Sequence, residues 1–468
     1  MKRNPRLIAA KAAALVAAIP FLIWAHDYGP DPGYCGVPKE NPSCIAAQCH
    51  VGTANDPNNK GSVQVTFAGG KTYSPGVKQH LVVTIADPAQ KAWGFQLTAR
   101  LASNSAAMAG SFAFTDANTQ LMCASANLQQ LQAQCLNKGS DLCVTSVPTC
   151  PANMPLQYME HTQTGYNATS GKSGPQTYEF DWTPPATDTG DVVFYVAGNA
   201  ANGDKLPTGD HIYTSKFTLP ALAAAGTPTL ADGVVNGASF QPGIVPGSWF
   251  TVYGTNFVPA GFQDDWSQSI ANGKLPILLD GVSIDIGGKP AYINLVTPTQ
   301  INAVAPDAGL GTVAVTVTTP GGTTRAVSTT SQQFGPAFFL WPGSQAVATH
   351  LDFSLAVKAS TFAGANTVAA KPGEVLILWG TGFGPTSPAV APGIQVPGDQ
   401  IYTTASNVTV TINNTPATVS GTALASSFAG LYQVAIQVPQ SLADGDWPIK
   451  ASIGSFQSPD GVVLSVKK

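Results

Sequence analysis

A repeat in the second half constrains this chain more than any other feature. Pro246-Gly247-Ser248-Trp249-Phe250-Thr251-Val252-Tyr253-Gly254-Thr255-Asn256-Phe257 returns as Pro372-Gly373-Glu374-Val375-Leu376-Ile377-Leu378-Trp379-Gly380-Thr381-Gly382-Phe383. The same offset relates Pro290-Ala291 to Pro416-Ala417, and after one small indel Gln300 with Pro306 corresponds to Gln433 with Pro439. Matches spread this widely mark a copied folding unit, not a local motif. Each copy carries an alternating run, Val282-Ser283-Ile284-Asp285-Ile286 or Val408-Thr409-Val410-Thr411-Ile412. Alternation puts every second side chain on one face, as in a strand with one buried side. Two like modules of about a hundred residues, each a two-sheet sandwich, follow. The shared Gly-Thr-x-Phe and Gln-x5-Pro elements fall in turns and strand ends and read as structural.

The same period runs through the chain upstream. Val63, Val65 and Phe67 alternate, as do Leu81, Val83 and Ile85, and later Tyr178, Phe180 and Trp182 before the breaker Pro184-Pro185. The aromatic positions read as core. Charged residues make up only 10%, while 47 Gly and 37 Pro supply turns, a balance that favours strands over helices. The expectation is an all-β chain of three consecutive β-sandwiches. The first spans 26–219 with a cysteine-rich insert at 123–150, 220–232 is a linker, and the repeated modules span 233–335 and 336–468. The linker begins in the uncharged, non-alternating stretch Leu219 to Thr229. Helix is expected only in the leader and within Leu128 to Gln134.

Residues 1–25 read as a signal peptide. Lys2, Arg3, Arg6 and Lys11 form a positive start, Ala12 to Trp24 is apolar but too short to span a bilayer, and Ala25 suits cleavage. An exported protein without an integral span after cleavage is expected, secreted, at the cell surface or in a periplasm; an uncleaved anchor is the alternative. A net charge of −4 without a basic stripe argues against nucleic acid and anionic membranes as partners. All seven cysteines lie in the first third, and export favours disulfides. Cys123, Cys135, Cys143 and Cys150 are expected to form two local bridges, with the pairing open.

The chemistry concentrates in Cys44-Ile45-Ala46-Ala47-Gln48-Cys49-His50. Two thiols and an imidazole at this spacing suit a covalently attached haem, with His50 as axial ligand. The usual attachment motif is Cys-x-x-Cys-His, so the four-residue spacer departs from it and requires a bulged loop. Zinc needs four ligands and no second close pair follows. A disulfide between Cys44 and Cys49 is the plainest alternative. For a haem, His161 is the candidate sixth ligand, ahead of Met159. His26 would become the mature N-terminus, where amine and ring can chelate copper. Asn202, Asp204 and Asp210 offer oxygens to Ca²⁺ but lack regular calcium-loop spacing and read more simply as a turn. No Gly-x-Ser-x-Gly elbow, His-Glu-x-x-His helix or P-loop occurs.

Several motifs carry resemblances. Tyr73-Ser74-Pro75-Gly76, Gly94-Phe95-Gln96-Leu97-Thr98-Ala99-Arg100, Ala109-Gly110-Ser111-Phe112, Glu160-His161 and Phe180-Asp181-Trp182-Thr183-Pro184-Pro185 resemble reeler (reelin N-terminal) domains. The cysteine-histidine cluster, Phe194 to Gly203 and Gly209-Asp210-His211-Ile212-Tyr213-Thr214 are closer still to the bacterial choice-of-anchor V domains, in which a Glu-His pair occupies the same place. The insert from Cys123 to Cys150 departs from that pattern. The repeated modules resemble immunoglobulin-like IPT/TIG folds, through Val234-Val235-Asn236-Gly237-Ala238-Ser239-Phe240, Gln300-Ile301-Asn302 and Gly430-Leu431-Tyr432-Gln433. These resemblances imply fold and export, not an activity. The first expectation is a surface binding or adhesion protein without catalysis or cofactor, taking an extracellular protein or glycan. The second is an exported mono-haem c-type electron-transfer protein, and the third a copper site at His26.

Overall fold

A computed structural model describes residues 28–45, 49–129, 131–133, 150–359, 361–365 and 367–468. The leader 1–25, His26, Cys135 and Cys143 lie outside the described residues. Among the described residues, helix is confined to α1 (Gln163–Thr169) and one 3-10 turn, Trp266–Gln268. The all-β expectation holds.

The chain divides into two compact units, Met1–Val65, Val83–Trp182 and Asp191–Thr218 forming one, and Thr66–Val82, Thr183–Gly190 and Leu219–Lys468 the other. The first is built on β1 (Ser62–Phe67), β2 (Gln79–Ala86), β3 (Ala92–Leu101), β4 (Asn104–Met108), β5 (Ser111–Phe114), β6 (Thr119–Ala124), β7 (Leu131–Ala133), β8 (Leu156–His161), β9 (Gln176–Thr183), β10 (Val192–Ala201) and β11 (His211–Leu219). One sheet runs β1-β2-β9-β5, the other β11-β10-β3-β8-β6-β7 with β4 on β3. Between them lie the alternating aromatics. Phe95 stacks on Phe180 at 5.8 Å, Phe112 meets Phe180 edge-on, and Trp182 meets Phe194 at 4.8 Å. Each such side chain contributes roughly 1.5–3 kcal/mol by burial.

β3 departs from simple alternation, because Gln96, Thr98 and Arg100 on its outer face are buried as deeply as Phe95, Leu97 and Ala99 on its inner face. The N-terminal arm covers that outer face. Arg100 donates to Glu40 Oε1 (3.1 Å) and to the Tyr158 hydroxyl (2.6 Å), and Tyr158 in turn donates to Glu40 Oε2 (2.7 Å). Cys35 and Val37 of the arm join Met122, Leu156 and Tyr158 in an apolar cluster. The insert starts as strand, not helix: β7 pairs with β6, Met122 opposite Ala133.

The second unit holds both repeated modules. The first has two sheets, one centred on Trp249–Thr255 paired with Gln300–Val304, the other on Ser283–Ile286 paired with Gly311–Thr319. In the second, Val375–Thr381 pairs with Tyr432–Gln437, and the long strand Thr415–Leu424 pairs first with Thr409–Ile412 and then with Tyr432–Gln437. The repeated Gly-Thr-x-Phe element has a packing cause. A Cβ on Gly254 would lie 2.1 Å from Thr229 O and 2.4 Å from the Phe257 ring; one on Gly380 would lie 2.3 Å from Ala337 O and 2.9 Å from the Phe383 ring. Only glycine admits both the neighbouring backbone and the aromatic at once.

The stretch read as a linker, 220–232, makes backbone hydrogen bonds of its own. Tyr73 N–H donates to Pro220 O and Leu222 N–H to Tyr73 O, Leu222 joins the core of the first module, and Thr229–Asn236 is a strand paired with Trp249–Thr255.

Candidate functional site

The arm that carries the cysteines is docked by a row of polar side chains across three strands. Gln96, Glu160 and Gln120 stand opposite one another on β3, β8 and β6. Gln96 Nε2 donates to Glu160 Oε2 (3.1 Å) and Gln120 Nε2 to Glu160 Oε1 (2.7 Å). Their remaining valences grip the arm. Gln96 Oε1 accepts from Gly33 N–H and Tyr34 N–H, Gln96 Nε2 donates to Asp31 O, and Gln120 Nε2 to Tyr28 O. A Cβ on Gly29, at φ +98°, would lie 2.6 Å from Glu160 Oε1, so the arm passes where only glycine fits.

Beyond the arm, His50 is held between two strands. Its Nδ1 lies 2.7 Å from Asp210 Oδ2, just before β11, and its Nε2 lies 3.3 Å from Asn199 Nδ2 on β10. Asn199 Oδ1 is buried without a hydrogen-bond partner. Across the ladder Asn199 pairs with Gly94 of β3, and against Gly94 lies the His161 ring, 2.5 Å from the position of a Cβ. His161 Nδ1 lies 3.1 Å from Phe95 N and 3.3 Å from Phe95 O, accepting from the first or donating to the second according to the ring's tautomer. The two imidazoles thus flank one cross-strand pair.

Cys44, Cys49, His50 and His161 line a single cavity of about 70 Å³. That space is well below the roughly 300–1,000 Å³ of small-molecule and cofactor pockets. Apolar wall comes from Trp93, Phe95 and Leu206, and Tyr166 enters from α1, whose N-terminus is capped by Thr162. No disulfide joins Cys44 to Cys49, contrary to the plainest reading of the sequence. Burial, then the nearby Cys49, pushes the Cys44 thiol up to about 12, and burial, then Asp31, raises Cys49. Both shifts favour the protonated thiol. Among the described residues no three His, Cys, Asp or Glu converge on one point as ion ligands. The four side chains are spread around a cavity instead.

Other sequence candidates fall elsewhere. Asn202 and Asp204 form a self-closed turn: Asn202 Nδ2 donates to Asp204 Oδ2, and Asp204 Oδ1 accepts from Leu206 N–H. Asp210 does not join them around an ion; it faces His50 and accepts from Asn202 N–H. Met159 points into the core, fully buried. Cys123 is bridged to Cys150, Cα to Cα 5.6 Å. The sequence reading missed Asn199, Tyr166 and the pairing of Asp210 with His50. Gly94, a glycine inside a strand, was the available signal of a close approach.

Residues 239–334 match the IPT/TIG domain. The first repeated module therefore carries that fold. No curated protein sequence matches the chain. Among solved structures, the human F-spondin reeler domain is 16% identical, covering 34% of this chain and 88% of its own, with a TM-score of 0.20. The BSP domain of a biofilm associated protein is 9% identical over 91% of this chain and 69% of its own, with a TM-score of 0.21. The C-terminal domain of the antigen I/II-family protein AspA of Streptococcus pyogenes is 10% identical over 58% of this chain and 99% of its own, with a TM-score of 0.24. Among the described residues no helix is long and apolar enough to cross a membrane.

Proposed function

We propose that the first sandwich is an exported c-type haem domain, displayed by the two immunoglobulin-like modules. The observation that carries the reading is the gathering of Cys44, Cys49, His50 and His161 around one largely apolar cavity. The donor set fits the group in three ways, although the cavity would have to widen to admit a macrocycle. The thiols are unbridged to each other, His50 Nδ1 is taken by Asp210 so that Nε2 is its ligating nitrogen, and buried Asn199 Oδ1 leaves a polar valence open at that edge. Cys44 and Cys49 would hold the porphyrin through thioethers, His50 would be one axial ligand and His161 the candidate for the other. Bound haem supplies one-electron transfer, and its potential follows the axial ligands and burial. The chain itself contributes a docked arm, a fixed imidazole and a largely apolar wall. The choice-of-anchor V likeness and the exported disulfide chemistry agree with this location.

Binding or adhesion at a surface is the reading favoured by the IPT/TIG match, but it leaves the two thiols and two imidazoles without a role. The two are separated by expressing the protein with a c-type maturation system. A Soret band that survives denaturation, with the haem mass on the peptide containing Cys44 and Cys49, is expected. Colourless protein with unmodified thiols would reject the haem reading.

A further inference from the structure

We infer that Asp210 is the positioning residue that fixes the His50 tautomer and aims its Nε2 at the iron, with the Asn202–Asp210 turn as the brace. This role rests on the haem reading of the cavity. Asp210 is nearly buried, its side chain 3% exposed. One carboxylate oxygen, Oδ1, accepts from Asn202 N–H at 3.1 Å, which leaves Oδ2 for His50 Nδ1 at 2.7 Å. An ionised carboxylate accepts only, so the proton of a neutral His50 sits on Nδ1 and the lone pair on Nε2.

The opposite edge of the ring is held far less firmly. Asn199 Nδ2 stands 3.3 Å from Nε2, a long contact, and Asn199 Oδ1 has no partner. One nitrogen is therefore locked and the other exchangeable, as a ligand awaiting a metal requires. A carboxylate on the far nitrogen of a ligating imidazole also raises its basicity. The turn that resembled a calcium loop has a different use. Asn202 is tied to Asp204 and to Thr208 O, and Gly209, at φ +82°, would bring a Cβ within 2.7 Å of Asn202 Nδ2. The turn is built to hold Asp210 in place.

The test is Asp210→Asn, with Asp210→Glu as the conservative variant. An asparagine amide can donate to His50 Nδ1, which moves the ring proton to Nε2. In ¹⁵N-histidine-labelled apoprotein at pH 8, proton–nitrogen correlation spectra, assigned by loss of the signal in His50→Gln, should show Nδ1–H in the natural protein. Asp210→Asn should shift the balance toward Nε2–H. In haem-loaded protein the midpoint potential should rise in Asp210→Asn and move back in Asp210→Glu. His50 protonated on Nε2 in the natural protein, or a potential and tautomer indifferent to Asp210→Asn, would overturn the role. A natural protein that binds no haem overturns the cofactor reading and this role with it. That failure is recognisable, because the apoprotein spectrum reports the His50–Asp210 geometry whether or not haem attaches.

Discussion

Replacing Asp280 with asparagine should stabilise the second unit at neutral pH and flatten its pH dependence. Asp280 and Gly281 are the two central residues of a tight hairpin closed by Leu279 and Val282, with φ +47° and +74°. Aspartate and asparagine both tolerate such angles, and Asn-Gly is a preferred pair there. The Asp280 side chain is fully buried. Its Oδ1 accepts from Thr72 N–H (2.9 Å) and the Thr72 hydroxyl (2.6 Å), whereas Oδ2 meets no donor. Burial, then the carboxyl of Asp264, raises its pKa from 3.8 to about 8. Between those values the folded protein keeps a proton that the unfolded chain has released. Stability is therefore greatest below the lower value and falls as pH rises through the upper one. At ~1.4 kcal/mol per unit, a window in this direction is worth on the order of a few kcal/mol. Asparagine reproduces the protonated form permanently: its oxygen can face Thr72 and its amide can donate toward Asp264. Urea denaturation followed by tryptophan fluorescence from pH 4 to 9 should show Asp280→Asn gaining on the natural protein across the window. Parallel curves for the two proteins would refute the reasoning.

Other outcomes follow from the same packing. Arg100→Ala should cost about 3–5 kcal/mol, since it strands a partly buried carboxylate, and should expose the arm near Glu40 to limited proteolysis; an uncut arm would contradict its docking role. Gly254→Ala and Gly380→Ala should each lower stability by roughly 1–3 kcal/mol through overpacking, measurable as lost denaturation midpoint, and unchanged midpoints would disprove the close-approach account. Non-reducing peptide mapping should recover Cys123 joined to Cys150; alkylation of Cys123 without prior reduction would disprove it. His161→Ala should change both the visible spectrum and the potential of haem-loaded protein, whereas an unchanged spectrum would remove His161 from the iron.

The fold was legible because its signals are local. The alternation at Tyr178, Phe180 and Trp182 reflects a burial pattern written within a few residues, and the repeated Gly-Thr-x-Phe is visible because the chain carries it twice. The candidate site was legible only in part. The cysteine-histidine cluster stands out because its members are adjacent. His50 and Asp210, or Gly94 and His161, meet only through strand order, and no spacing announces them. The arm over β3 was illegible for a related reason. Gln96 and Arg100 look like the solvent face of a strand until a distant segment covers them.

The order of the two units along the chain carries an evolutionary consequence. Thr66–Val82 and Thr183–Gly190 belong to the second unit although they are flanked on both sides by the first. No single crossover in the gene can part the two units cleanly. A recombination event at Leu219, where a string of beads would be cut, would leave both excursions without the surface they were shaped on. Exchange of the C-terminal modules for others must therefore preserve a seat for these two loops, or rebuild the loops in the same step. The C-terminal modules and these two segments are expected to be inherited as one block.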